Sequence, residues 1–136
     1  MNSQSIPLGS KAEAMQIVTE DDLASILGEK DDIFPKVFAT SKMAALMEIA
    51  ASRVLKKFLL SEECSVGIEI NINHVSPTSM DAKVMAQAIL IDTVDNVFTF
   101  SVQAYDESGL IGEGTHKRSI VDIERLEKGA LRKISL

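Results

Sequence analysis

Three polar residues stand where the surrounding pattern calls for apolar ones, and together they could carry acyl-transfer chemistry. From Thr40 onward, Ala44, Met47, Ala51, Leu55 and Phe58 recur at the spacing of one helical face. At about 100° per residue, Thr40 and Glu48 both fall within about 40° of that stripe's centre. A carboxylate aimed at a core must be paired, hydrogen-bonded or protonated, because burying the bare charge is very unfavourable. Thr40 stands at the first turn, where unpaired backbone N–H groups and the helix dipole favour developing negative charge. Further on, Val66, Ile68, Ile70 and Ile72 alternate with Gly67, Glu69, Asn71 and Asn73, which predicts a half-buried strand. His74 continues the apolar parity of that strand and should point toward the helix. An imidazole titrates near neutrality, and a nearby carboxylate would fix its tautomer and support its cationic form.

Each residue also has a plainer role. Thr40 could simply cap its helix, Glu48 could pair with a strand residue, and His74 could end its strand without any chemistry. His116, beside Lys117 and Arg118, reads as a surface or supporting residue. The set says more than its members, because one polar group must converge at one end of one helix.

The elements that would position this set can be read along the chain. Residues 12–18 predict a first strand. Thr19 then suits the N-cap of a short helix, with Glu20, Asp21 and Asp22 at its positive end and Gly28 at its stop. A polar loop over 29–36 leads to the long helix over 40–58, which carries Lys42, Arg53, Lys56 and Lys57 on its outer side. Leu46 and Ile49 also point outward in that projection. After the strand over 66–74, a turn around Pro77 precedes three more strands, 82–91, 97–105 and 110–121, with turns between them. A charged tail from residue 122 reads as a short helix. One long central helix wrapped by a highly curved antiparallel meander is an α+β fold. One helix leaves part of such a sheet uncovered, which invites a second subunit.

The chain of 136 residues has the length of a single domain spanning 1–136, with a flexible N-terminus over 1–12 and a C-terminal tail over 122–136. Its one cysteine, Cys64, permits no internal disulfide, which fits a reducing compartment. A net charge of −6 without a basic stripe argues against nucleic acid. Residues 1–10 lack an apolar signal core, and no run approaches the roughly 20 apolar residues of a membrane span, so a cytoplasmic protein that does not bind membranes is expected. Two separated histidines and one cysteine make a poor metal set.

The segments VFATSKMAALMEIAA, GIEININHVSPT and GLIGEGTHKRSIV, with VTEDDLASILG upstream, resemble the fluoroacetyl-CoA thioesterase type of hotdog-fold protein, over roughly residues 14–121. The spacing agrees: Thr40 and Glu48 are eight apart, and Gly67 and His74 seven. The resemblance implies a hotdog fold, hydrolysis of a thioester of a small or short acyl group, and coenzyme A present only as part of the substrate. It implies Thr40, Glu48 and His74 as catalytic residues, Gly67 as a contact to the substrate carbonyl, and Phe34 as a lid aromatic. It also implies a homodimer, or a higher oligomer, with active sites at the subunit interface. Lys42, with Lys36 and Arg118, is a candidate partner for the anionic coenzyme. Two positions depart from the family pattern, Ser41 after the threonine and Ile49 after the glutamate, and they bear on the substrate more than on the reaction. The alternatives are a non-catalytic acyl-CoA-binding module and an enoyl-CoA hydratase of the same fold. The Asp-x-Asn-Pro-x-His segment shared by such hydratases is missing from NINHVSPT.

Overall fold

The alternating runs of the second half do become strands, and the 3.6-residue period before them becomes a helix. The structure, a computed structural model, describes residues 6–134. It contains β1 (Lys11–Ile17), α1 (Thr40–Lys56), β2 (Glu63–His74), β3 (Lys83–Val94), β4 (Val97–Asp106), β5 (Gly109–Asp122) and α2 (Ile123–Ile134). The strands form one antiparallel sheet in the order β1-β3-β4-β5-β2, curled around α1.

Only β3, β4 and β5 form a meander. β2 pairs with β5 and occupies the far edge of the sheet, instead of forming a hairpin with β3. The link between β2 and β3 is long enough for this. Its eight residues can span about 26 Å when extended, against roughly 14 Å between strands three places apart.

The core lies between α1 and the concave face of the sheet. Val84, Ala86, Ala88 and Leu90 on β3, with Phe98, Phe100, Val102 and Ala104 on β4, meet Met43, Met47, Ala50, Ala51, Val54 and Leu55 on α1. Small residues on β3 and large ones on β4 let the helix sit close to one side of the curl. Leu46, expected to face outward, is only 2% exposed. The curled sheet wraps more of the helix than a flat stripe allows, so the buried face widens to include Leu46 and leaves Glu48 on its flank.

Two other expectations are corrected. The short helix predicted after Thr19 is a pair of 3₁₀ turns, Glu20–Asp22 and Ala24–Ile26. Between them Leu23 is extended and bridges to Phe38, burying its side chain, which a continuous helix would forbid. The flexible stretch expected over 1–12 is already packed at Ile6, which is buried, and at Gly9, whose N–H donates to the Leu90 carbonyl. Residues 1–5 lie outside the described residues. The tail predicted as a short helix is α2, and none of its described residues is buried. Among the described residues no helix is long and apolar enough to cross a membrane.

Gly114 shows how tightly β2 and β5 are joined. A Cβ there would press on the Asn71 carbonyl oxygen and the Ile72 backbone, neither of which can swing aside. Gly114→Ala is expected to cost roughly 1–3 kcal/mol of stability through this overpacking. It would be read as a lower urea midpoint with an unchanged slope, and a midpoint equal to wild type would refute the close approach.

Candidate active site

The start of α1 brings the first two chemical residues together. Ala39, extended and with no side-chain hydrogen bond, is the N-cap, and Thr40 is the first helical residue. The Thr40 hydroxyl is therefore not used as a cap. It lies 2.8 Å from His74 Nδ1 at the end of β2. Two anchors hold this junction: the Phe38 N–H donates to the Thr78 carbonyl at 2.8 Å and the Val75 N–H to the Ile111 carbonyl at 2.7 Å. With Thr40 donating to Nδ1, the neutral ring carries its proton on Nε2. That nitrogen is enclosed and has no hydrogen-bond partner among the described residues. Burial holds the His74 imidazole below its ordinary value of 6.5, and the Ser76 backbone opposes the shift in part. The result is a neutral base bonded to a hydroxyl beside the free N–H groups of a helix start.

Phe34 and Pro35 belong to the loop that precedes α1. With Val37, Phe38, Thr40 and His74 they line a cleft of about 410 Å³. Lys42, half-buried in the first turn of α1, is not among the residues lining this cleft, and Lys36 is exposed.

Glu48 does not join them within one chain. Eight residues of helix separate it from Thr40, about 12 Å of rise. Its Oε1 instead accepts a hydrogen bond from Arg118 Nη1 at 3.1 Å. Gly67 is beside it: a Cβ on Gly67 would stand 2.8 Å from that same oxygen. Glu48, Gly67, Ile68, Ile70 and His116 line a second cleft of about 310 Å³.

A β-bulge explains this grouping. Gly67 pairs with Arg118 and Glu69 with Lys117, so Ile68 is inserted without a partner and the parity of β2 reverses there. Ile70, Ile72 and His74 share the inner face with His116, Gly114 and Gly112, as expected. Before the bulge, however, it is Ser65 and Gly67 that lie opposite the inward Ile120 and Arg118, whereas Val66 falls on the other face.

Of the two places expected for His116, surface or supporting, the structure shows the second. His116 is not on the surface but 2% exposed, and Arg118 beside it is 6% exposed. A parity signal was available. Gly112, Gly114, His116, Arg118 and Ile120 alternate along β5, so two ionisable groups share a row with an apolar residue. Among the described residues no three His, Cys, Asp or Glu side chains gather as a metal-ligand set.

Comparison with known proteins settles the family. The sequence model of the fluoroacetyl-CoA-specific thioesterase family matches residues 18–124, most of the chain. The chain belongs to that family. Its members are thioester hydrolases, and the hotdog fold expected from sequence is the one observed. The fluoroacetyl-CoA thioesterase of Streptantibioticus cattleyicolor is 35% identical over 92 residues, which span 68% of this chain and 66% of that protein, just under two thirds of its length. A solved structure of a fluoroacetyl-CoA thioesterase superposes with a TM-score of 0.89 at 27% identity, over 95% of this chain and 98% of the other. A variant of that enzyme has been solved with acetyl-CoA. A hypothetical protein of Thermus thermophilus, a thioesterase superfamily member, superposes with a TM-score of 0.85 at 26% identity, over 97% and 95% of the two chains.

Proposed function

We propose that this protein is a cytoplasmic acyl-CoA thioesterase for small acyl groups, acting as a homodimer and needing no cofactor beyond the coenzyme A of its substrate. The observation that carries the reading is the 2.8 Å contact between Thr40 Oγ1 and His74 Nδ1 at the mouth of an apolar cleft. Family membership supplies the bond to be broken. The acetyl-CoA complex of a related enzyme supports a coenzyme A thioester as ligand.

In the proposed reaction His74 Nδ1 takes the Thr40 hydroxyl proton as Oγ1 attacks the thioester carbonyl carbon. The oxyanion forms beside the unpaired N–H groups of the first turn of α1, which act on charge present only in the transition state. The carbon–sulfur bond breaks, coenzyme A leaves as its thiol with the proton returned by His74, and water then releases the acyl group from Thr40 with His74 again as base.

Support for the dimer comes from the sheet edge. β2 is a twelve-residue edge strand whose Ile68 and Ile70 are 51% and 40% exposed. Long apolar edges of this kind are normally covered. Two β2 strands joined antiparallel about a two-fold axis near Ile70 and Asn71 would set His74 of each copy opposite Gly67 of the other. Glu48, beside Gly67, would then complete the Thr40–His74 pair of the second copy, which one chain cannot do.

The test is hydrolysis of a panel from acetyl-CoA upward, followed by release of free thiol. Turnover should be fastest for the shortest chains, because the cleft of about 410 Å³ is small and Phe34 is among the side chains that line it. Burial keeps His74 neutral below its ordinary range, so the acidic limb of the kcat/KM profile should lie beneath pH 6.5. Tight binding of every acyl-CoA with no thiol released would replace this reading with a non-catalytic binding module.

A further inference from the structure

Arg118 is bound more completely than an arginine filling a core requires. Its Nε donates to Ser65 Oγ at 2.9 Å and its Nη2 to the Ser65 carbonyl at 2.8 Å. Its Nη1 lies 3.1 Å from both Glu48 Oε1 and His116 Nε2. The orientation of His116 follows from one contact. Its Nδ1 is 2.7 Å from the Glu69 carbonyl oxygen, which can only accept, so Nδ1 carries the proton and Nε2 offers its lone pair to Arg118. Burial lowers the His116 pKa, in line with this neutral form. Both Nη1 hydrogens are thereby assigned, one to the imidazole and one to the carboxylate. Clearance comes from Gly67, where a Cβ would lie 2.8 Å from Glu48 Oε1 and 3.1 Å from His116 Cε1.

Burying an ion pair is a weak source of stability, because desolvation consumes most of the attraction. Its geometry is the more informative property. Oε1 of Glu48 is held by Arg118, while Oε2 has no hydrogen bond among the described residues and the side chain remains 46% exposed at the cleft beside Ile68 and Ile70. We propose that Arg118 is a positioning residue for Glu48: clamped by Ser65 and by neutral His116, it fixes one carboxylate oxygen against Gly67 so that the other is presented to the reacting groups. This rests on the catalytic role for Glu48 proposed above.

The proposal is tested with Arg118→Met and Ser65→Ala, each made alone and in a Glu48→Gln background, in the full-length protein. Losing the guanidinium should lower kcat by on the order of 10²-fold with KM within about twofold, since misplacing a reacting group acts mainly on the transition state. Millimolar guanidinium should restore part of that loss in Arg118→Met, and none of it once Glu48 is also replaced. Ser65→Ala removes one of the two Ser65 contacts to Arg118, so it serves if Arg118→Met does not fold. A kcat loss of about 3- to 10-fold is expected, and it should vanish in the Glu48→Gln background because residues acting as a unit are non-additive. If Glu48→Gln impairs turnover and these variants still reduce it further by their full factor, the positioning role is wrong and the catalytic reading of Glu48 stands. If Glu48→Gln turns over like wild type, the catalytic reading fails and the positioning role falls with it.

Discussion

His74→Ala is expected to lower kcat/KM toward a short acyl-CoA by roughly 10²–10⁴-fold, the usual worth of a positioned general base. Among the described residues the imidazole is the only group bonded to the Thr40 hydroxyl, and an unassisted hydroxyl at neutral pH is a poor nucleophile. Thr40→Ala should fall into the same range. The double variant should be no worse than the poorer single one, because the two groups perform one step together. Stability is expected to change by less than about 1 kcal/mol in either single variant, since neither residue belongs to the buried core. Steady-state thiol release and urea unfolding of the same preparations separate the two effects. Wild-type rates with alanine at position 74 would remove the catalytic assignment. A large rate loss accompanied by an equally large loss of stability would point instead to a structural histidine ending its strand.

Most of the fold was legible because its elements follow one period each. The alternation over 66–74, 82–91, 97–105 and 110–121 needed only hydrophobic pattern and turn residues, and the α1 stripe needed only its spacing. What pattern could not supply was pairing between distant segments. Nothing local in β2 says that it crosses to the outer edge of β5, and nothing in Leu23 announces its bridge to Phe38. Thr40 and His74 were legible because each continues the inward row of its own element, and the bonds of Phe38 to Thr78 and of Val75 to Ile111 bring the two ends together, 2.8 Å apart. The grouping of Glu48 with His116 and Arg118 was hidden by the bulge at Ile68. An inserted residue reverses strand parity, so extrapolating the face of Ile70 and Ile72 backward selects Val66 where Ser65 and Gly67 belong. The burial of His116 and Arg118 has a different origin: the run His116, Lys117 and Arg118 carries no local sign that its first and last members share the row of buried Ile120.

Mixing two inactive variants is expected to regenerate activity. A site built from Thr40 and His74 of one copy and Glu48 of the other is damaged in a His74→Ala homodimer and in a Glu48→Gln homodimer, in both sites of each. In a mixed dimer one site takes its Thr40 and His74 from the Glu48→Gln chain and its glutamate from the His74→Ala chain, so it is whole, while the other site carries both lesions. Random exchange of equal amounts makes half of the dimers mixed, so about a quarter of all sites, and about a quarter of wild-type turnover, should return. The experiment requires unfolding and refolding the two chains together, with the separately refolded chains combined afterward as the control. The distinction is sharp because the single chain places Glu48 on Arg118, about 12 Å of helix away from Thr40. If each chain contained a complete site, both lesions would stay where they were and co-refolding would give only the average of the two variants. Recovery near a quarter would show that the exposed edge of β2 assembles the catalytic set as well as closing the sheet.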